Sequence, residues 1–321
     1  MSTRLIINPN AGSAPKNEEL IEALEQLDDV EVCLTECPGD AERLAREAAE
    51  AGVTRVIAAG GDGTANEVLN GLSEHLDQVT LGVLPLGTGN DLSRSLGLPD
   101  TAMEALPYLL GEEPAEGRQT RRLDVLRVSH GDNSRIALNH INAGYGNLIS
   151  SEVDSEKKQK WGPFAYMTSA AAQVWDREEY RTKIRCNGTD FEEIDAVNIF
   201  VVNGRTIAGG FRIAPLASME DGLFEVLVMR SGSLVELAEM VAMTLVGKLA
   251  ESEHVVARAV HSLHIESVPP MTFSVDGEPF DAPAIQVDIL PAALEVIVGP
   301  DYQAHPDADA AQDAPKQPDS P

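Results

Sequence analysis

The stretch Ala58–Val68, AAGGDGTANEV, places Gly60, Gly61 and Gly63 around one carboxylate, Asp62, between an apolar run and a helix-forming segment. The free backbone N–H groups at a helix start carry partial positive charge. Glycines let that backbone approach an anion without a Cβ in the way. Phosphate is the anion such a loop suits. The loop is not the P-loop, because the lysine of G-x-x-x-x-G-K-[ST] is missing, and GTGNDL at 87–92 lacks the third glycine of G-x-G-x-x-G. Thr64 and Glu67 also form T-x-x-E, the pattern of a capping box. Taken alone, then, the glycines suit a tight turn as well as a ligand.

Two further loops shift that balance. LPLGTGNDLSRSLG (84–97) repeats the order strand, glycine loop, helix, with Asn90 or Asp91 as the opening residue, and NPNAG (8–12) follows the first apolar run. Glycine loops at neighbouring strand ends line one crevice, the place where open α/β sheets bind ligands. Three of them at one sheet edge point to a nucleotide or phosphate site.

The elements needed to hold such a crevice are legible around it. RLIINP, VEVCL, TRVIAAG and VTLGVLP read as strands. PKNEELIEALEQL, GDAERLAREAAEAG, TANEVLNGLSEHL and the short DLSRSLG read as helices between or after them. This alternation implies βαβ units and a mostly parallel sheet. From about Arg121 the texture turns β-rich: RRLDVLRV, RIALNHINAGYG, YRTKIRCNG, AVNIFVVNG, LFEVLVMR, VHSLHIESV and MTFSVDGEP are bounded by Gly, Pro, Asn and Asp. Helical spacing interrupts them at FAYMTSAAAQVW and SLVELAEMVAMTLVG. The expected class is α/β, with a three-layer nucleotide-binding domain over 1–120, joined by 293–300, and a β-sandwich-like domain over 121–292. Residues 301–321, rich in Ala, Asp and Pro, are expected to form a disordered acidic tail.

Composition excludes some classes. With 52 acidic against 24 basic residues the net charge is −28, which opposes nucleic-acid binding and broad adsorption to anionic lipid. Cys33, Cys37 and Cys186 are too few and too scattered for a disulfide framework or a zinc site. No secretory signal or apolar run long enough to span a bilayer is visible, so a cytoplasmic protein is expected.

NPNAG, GGDGT and PLGTGNDLSRSLG, in this order and spacing, resemble the diacylglycerol kinase catalytic family, which includes bacterial lipid kinases, sphingosine kinases and ceramide kinases, with NAD kinases as distant kin. VVNGRTIAGGFRIAPLASMEDGLFEVLVM (201–229) and VDGEP (275–279) extend the resemblance, which covers about residues 4–298. It departs at Ala59, where many relatives have a third glycine. The resemblance implies ATP and Mg2+ in a cleft between two domains and a lipid hydroxyl as acceptor, with diacylglycerol the default. The implied ATP contacts are Asn8, Thr35, Gly61, Asp62, Gly63, Thr64, Ala65, Asn66, Glu67 and Thr88. Asp62 would position magnesium or phosphates, and Glu278 of VDGEP would be the catalytic base, although the bare sequence there reads equally well as a hairpin turn. A structural magnesium is implied at Asp221 with the carbonyls of Ser218 and Leu223, linked through water to Asp91 and Asp124.

The partner implied is a lipid at a membrane surface, met peripherally. Lys157, Lys158, Lys160 and Trp161 (KKQKW) form the basic-aromatic patch that could dock there, and a homodimer stays open. Two rivals also stay open: a soluble-substrate kinase of the NAD-kinase-like superfamily, and a non-catalytic nucleotide- or lipid-binding regulator.

Overall fold

The computed structural model describes residues 2–12, 24, 29–111, 119–144, 179–276 and 278–306. The KKQKW patch and the FAYMTSAAAQVW segment lie outside them. Four parallel strands, β1 (Thr3–Ile7), β2 (Val30–Leu34), β3 (Arg55–Gly60) and β4 (Thr80–Pro85), stand in the order β2-β1-β3-β4. Strands β3 and β4 are almost wholly buried, as near-continuous apolar runs covered on both faces should be. Among the described residues, helices α1 (Asp40–Glu50), α2 (Asp62–Gly71), α3 (Asp91–Ser95) and α4 (Ala102–Leu110) belong to this part. Leu5, Ile57, Leu69, Leu84 and Val296 lie in its core.

The second part is antiparallel. Its strands are β5 (Gln119–His130), β6 (Asn133–Ala137), β7 (His140–Gly144), β8 (Tyr180–Cys186), β9 (Glu192–Val202), the short β10 (Thr206–Ile207) and β11 (Phe211–Arg212), β12 (Phe224–Arg230), β13 (Val255–Val260), β14 (Ser262–Val275) and β15 (Glu278–Val298). Both β9 and β14 pair with β7 and with β8, so these four strands close on themselves. A second core in this part holds Phe224, Leu263, Phe273 and Ile285. Helix α5 (Leu234–Leu245) carries a full capping box between Ser233 and Glu236.

Two long strands join the parts. β15 pairs antiparallel with β14 up to Asp288, then runs parallel to β4 at Glu295 and Val296, while β5 follows it along both stretches. The pairing of β5 with β15 breaks between Leu290 and Leu294, and Asp124 fills that break. Its buried carboxylate accepts from the N–H of Ala292 at 2.7 Å and of Gly222 at 2.7 Å. Removing it in Asp124→Ala strands two backbone donors, so we expect a loss of about 2–3 kcal/mol in unfolding free energy. Chemical denaturation checks this, and a loss below about 0.5 kcal/mol, the scale of a surface change, would contradict it.

The first residues of the expected tail are among the described ones. Residues 301–306 are held: Asp301 N–H donates to Gly97 O, the Ser218 hydroxyl donates to Ala304 O, and the Arg205 guanidinium donates to Gln303 O. Residues 307–321 lie outside the described ones. Composition counts polar residues but does not report Tyr302, which seats against Gly97 and the Arg205–Glu220 region.

Candidate active site

The three glycine loops meet at the C-terminal ends of β1, β3 and β4. Asn8 N–H donates to Ala59 O, and its side-chain amide donates to Thr64 Oγ1 at 3.3 Å. A Cβ on Gly87 would stand 2.5 Å from Gly61 Cα, so the second and third loops are packed backbone to backbone. Only glycine fits such an approach. Gly12, at φ 65°, is pressed in the same way against the carbonyl of Leu86.

Helix α2 rises from this cluster. Its N-cap is Gly61, with extended backbone and no side-chain cap, and Ala65 N–H donates to Gly61 O. The N–H groups of Asp62, Gly63 and Thr64 therefore open the helix without intrahelical acceptors, as an anion site requires. The capping box expected from Thr64 and Glu67 does not form. The helix begins two residues earlier than Thr64, and Glu67 Oε2 instead accepts from Ala41 N–H in the first turn of α1. The same pattern does cap a helix at Thr101–Glu104, where the chain enters α4 through an extended residue. Asn90 is also no side-chain cap: it sits at φ 53° and binds Gly87 through both its amide oxygen and its amide nitrogen.

Opposite Gly63 stands Glu278. A Cβ built on Gly63 would meet one atom within 4 Å, Glu278 Oε1 at 3.8 Å. Glu278 comes to this place because the turn after β14 is tied down by Asp276. That carboxylate is buried, accepts from Leu138 N–H at 3.0 Å and His140 N–H at 2.8 Å, and lies 3.8 Å from His140 Nδ1. Sequence reading missed Asp276 and His140. Their signal is the isolated charge within apolar-bounded β segments, which has meaning only once the strands are paired.

Asp62 Oδ1 accepts from Leu92 N–H at 3.2 Å, thirty residues on, so it clamps the two loops and is not a local turn residue. Its Oδ2 would lie 2.7 Å from a Cβ on Gly89, with Asp91 Oδ2 3.8 Å from the same point, so two carboxylates converge there. Asp91 also accepts from the N–H groups of Gly209 and Gly210, holding the β10–β11 turn. Burial raises both carboxyl pKa values above the ordinary range, and the charge of Asp62 raises Asp91 further. Burial does the same to Asp124 and Asp276.

These shifts fix a sign. Over the window between the ordinary carboxylate value, about 4, and the raised native values, the folded chain keeps protons that the unfolded chain has released. Stability then falls as pH rises through that window. Asp40 and Glu236 shift downward and act the other way only below about pH 4. Lowering the pH from about 8 to about 5.5 is expected to raise the melting temperature, and relief of the −28 charge works in the same direction. A melting temperature that falls over that range in dilute buffer would contradict this.

The remaining expected residues fall as follows. Thr35 N–H donates to Ile7 O beside the Asn8 loop, and exposed Thr88 lies on the Gly87 loop. Ala65 is buried in α2, and the Asn66 side chain points to Val275 O rather than to the glycine cluster. Asp221 Oδ1 accepts from Leu223 N–H, and the Ser218 hydroxyl is engaged by Ala304 and Glu220. Among the described residues no three His, Cys, Asp or Glu side chains cluster as a metal site. A buried polar path joins the two acidic positions. Asp91 O accepts from the Thr206 hydroxyl, Ser95 links Thr206 to Asn139, Asn139 O accepts from Asn203 N–H, and the Asn203 amide donates to Asp124 O.

Comparison with known proteins bears on family and fold. The model of the diacylglycerol kinase catalytic domain matches residues 2–128, and that of the YegS C-terminal NAD kinase beta sandwich-like domain matches 139–298. A Chromohalobacter salexigens protein described as a probable lipid kinase YegS-like is 33% identical, covering 91% of both chains. A Staphylococcus aureus diacylglycerol kinase is 30% identical, covering 86% of this chain and 85% of its own. The crystal structure of a diacylglycerol kinase from Bacillus anthracis superposes with a TM-score of 0.70 at 25% identity, covering 93% of this chain and 97% of that one.

Proposed function

Because the chain belongs to the diacylglycerol kinase-like family of lipid kinases, we propose that it transfers the γ-phosphoryl group of ATP to a lipid hydroxyl, with diacylglycerol as the default acceptor. The observation that carries this reading is the carboxylate of Glu278 facing the uncapped N-terminus of α2 across the cleft. Phosphate oxygens suit the N–H groups of Asp62, Gly63 and Thr64, with Asn8, Thr35 and Thr88 at the rim. Glu278 takes the proton of the attacking hydroxyl as the hydroxyl oxygen bonds to the γ-phosphorus and the bond from that phosphorus to the β–γ bridging oxygen breaks, releasing ADP.

The converging carboxylates of Asp62 and Asp91 fit Mg2+, a hard ion that binds oxygen and supplies neutralisation of phosphate charge. The Asp221 carboxylate with the carbonyls of Ser218 and Leu223 is likewise an oxygen donor set suited to a second, structural Mg2+. Contact with the lipid is peripheral and made from the cytoplasm; among the described residues no helix is long and apolar enough to cross a membrane.

Labelled ATP offered with a mixed lipid extract and, separately, with NAD tests the reading. Label in the organic phase supports it. Label on NAD, or ATP binding without any transfer, would overturn it.

A further inference from the structure

Helix α2 touches both halves of the site. Gly63 in its first turn faces Glu278, and its next two turns carry Asn66 and Asn70 toward the second domain. The Asn70 amide bonds β6 as a neighbouring strand would. Its Nδ2 donates to Ile136 O at 3.0 Å, and its Oδ1 accepts from Ile136 N–H at 3.0 Å. The same Nδ2 lies 2.9 Å from Asn66 Oδ1, which orients the Asn66 amide so that its Nδ2 donates to Val275 O at 3.4 Å. Val275 is the register partner of Glu278 across the β14–β15 turn. Below that turn Asp276 grips Leu138 and His140, on the chain that leaves β6. One ring of contacts thus runs from the phosphate end of α2 through Asn70, β6 and Asp276 to the strand that carries Glu278.

We propose that Asn70 is a positioning residue. By fastening α2 to β6 it sets the separation between the phosphate-binding turn and Glu278, without touching nucleotide or lipid. The inference rests on the lipid-kinase reading. Its amide is the one side chain of α2 that makes a two-way backbone bond with the second domain among the described contacts. A misplacement of about 1 Å between reacting groups costs on the order of 10²-fold in rate, so the effect belongs in kcat. ATP binding, built from loops of the first domain alone, should hardly change.

The test uses the full-length protein with Asn70→Leu, and Asn70→Ser should the leucine variant not fold. Transfer of label from ATP to diacylglycerol in mixed micelles gives kcat and KM, and calorimetry without lipid gives ATP affinity. We expect kcat to fall about 10²-fold with ATP affinity within about threefold of the original. In a Glu278→Gln background the same substitution should have little further effect, because the geometry it protects no longer serves a base. An unchanged kcat, or losses that multiply fully across the two variants, would overturn the inference and leave the kinase reading standing. An unsubstituted protein that binds ATP yet labels no lipid would overturn both.

Discussion

Glu278→Gln is expected to lower lipid phosphorylation by about 10²–10⁴-fold, the contribution of a positioned general base. Glutamine keeps the size of the side chain and cannot take up the proton. The residue is half-buried at the start of β15 and faces Gly63 across the cleft. ATP affinity should therefore stay within about threefold, since the interactions lost are those made in the transition state. Steady-state transfer assays and nucleotide calorimetry separate the two quantities. Full turnover in the variant would remove Glu278 from the role of base.

Gly63→Val is expected to weaken ATP binding about 10²-fold, equivalent to about 2.7 kcal/mol, without unfolding the chain. The reason is where the new side chain goes. Gly63 is not in the left-handed region, and the nearest atom to its added Cβ is Glu278 Oε1 at 3.8 Å, an ordinary contact. The valine thus enters the space between the helix N-terminus and Glu278, which is where phosphates are proposed to lie. The melting temperature should move by no more than about 2 °C, the scale of a surface change. Gly87→Ala makes the contrasting case. Its Cβ would stand 2.5 Å from Gly61 Cα, so the two loops must part, and both stability and binding should fall. Unaltered ATP affinity in Gly63→Val would place the phosphates elsewhere.

The loops were legible in the sequence because a backbone-to-backbone approach leaves no alternative to glycine. Gly61 and Gly87 record in their residue type a contact between segments 26 positions apart. The parallel strands were legible for a similar reason, since strands covered on both faces are apolar throughout. What failed was local pattern detached from context. T-x-x-E caps α4 at Thr101 but not α2 at Thr64, because the glycine loop already begins the helix at Asp62. Helix α4 itself went unread, with Pro107 inside it weighing against a helix. Asp276, although part of VDGEP, His140 and Asn70 were given no role from the sequence, because each acts on residues 66 to 138 positions away. The role proposed for Glu278 comes from the resemblance of VDGEP to a family motif, and the pairing of β14 with β15 sets the residue opposite Val275.

The central claim is that the terminal phosphate of ATP sits between the first turn of α2 and Glu278. A crystal structure with Mg2+ and a non-hydrolysable ATP analogue tests it most directly. The account predicts the γ-phosphate on the N–H groups of Gly63 and Thr64, with the Glu278 carboxylate on its far side, one hydroxyl's width away. An analogue bound with residues 61–64 untouched, or with Glu278 turned out of the cleft, would contradict it.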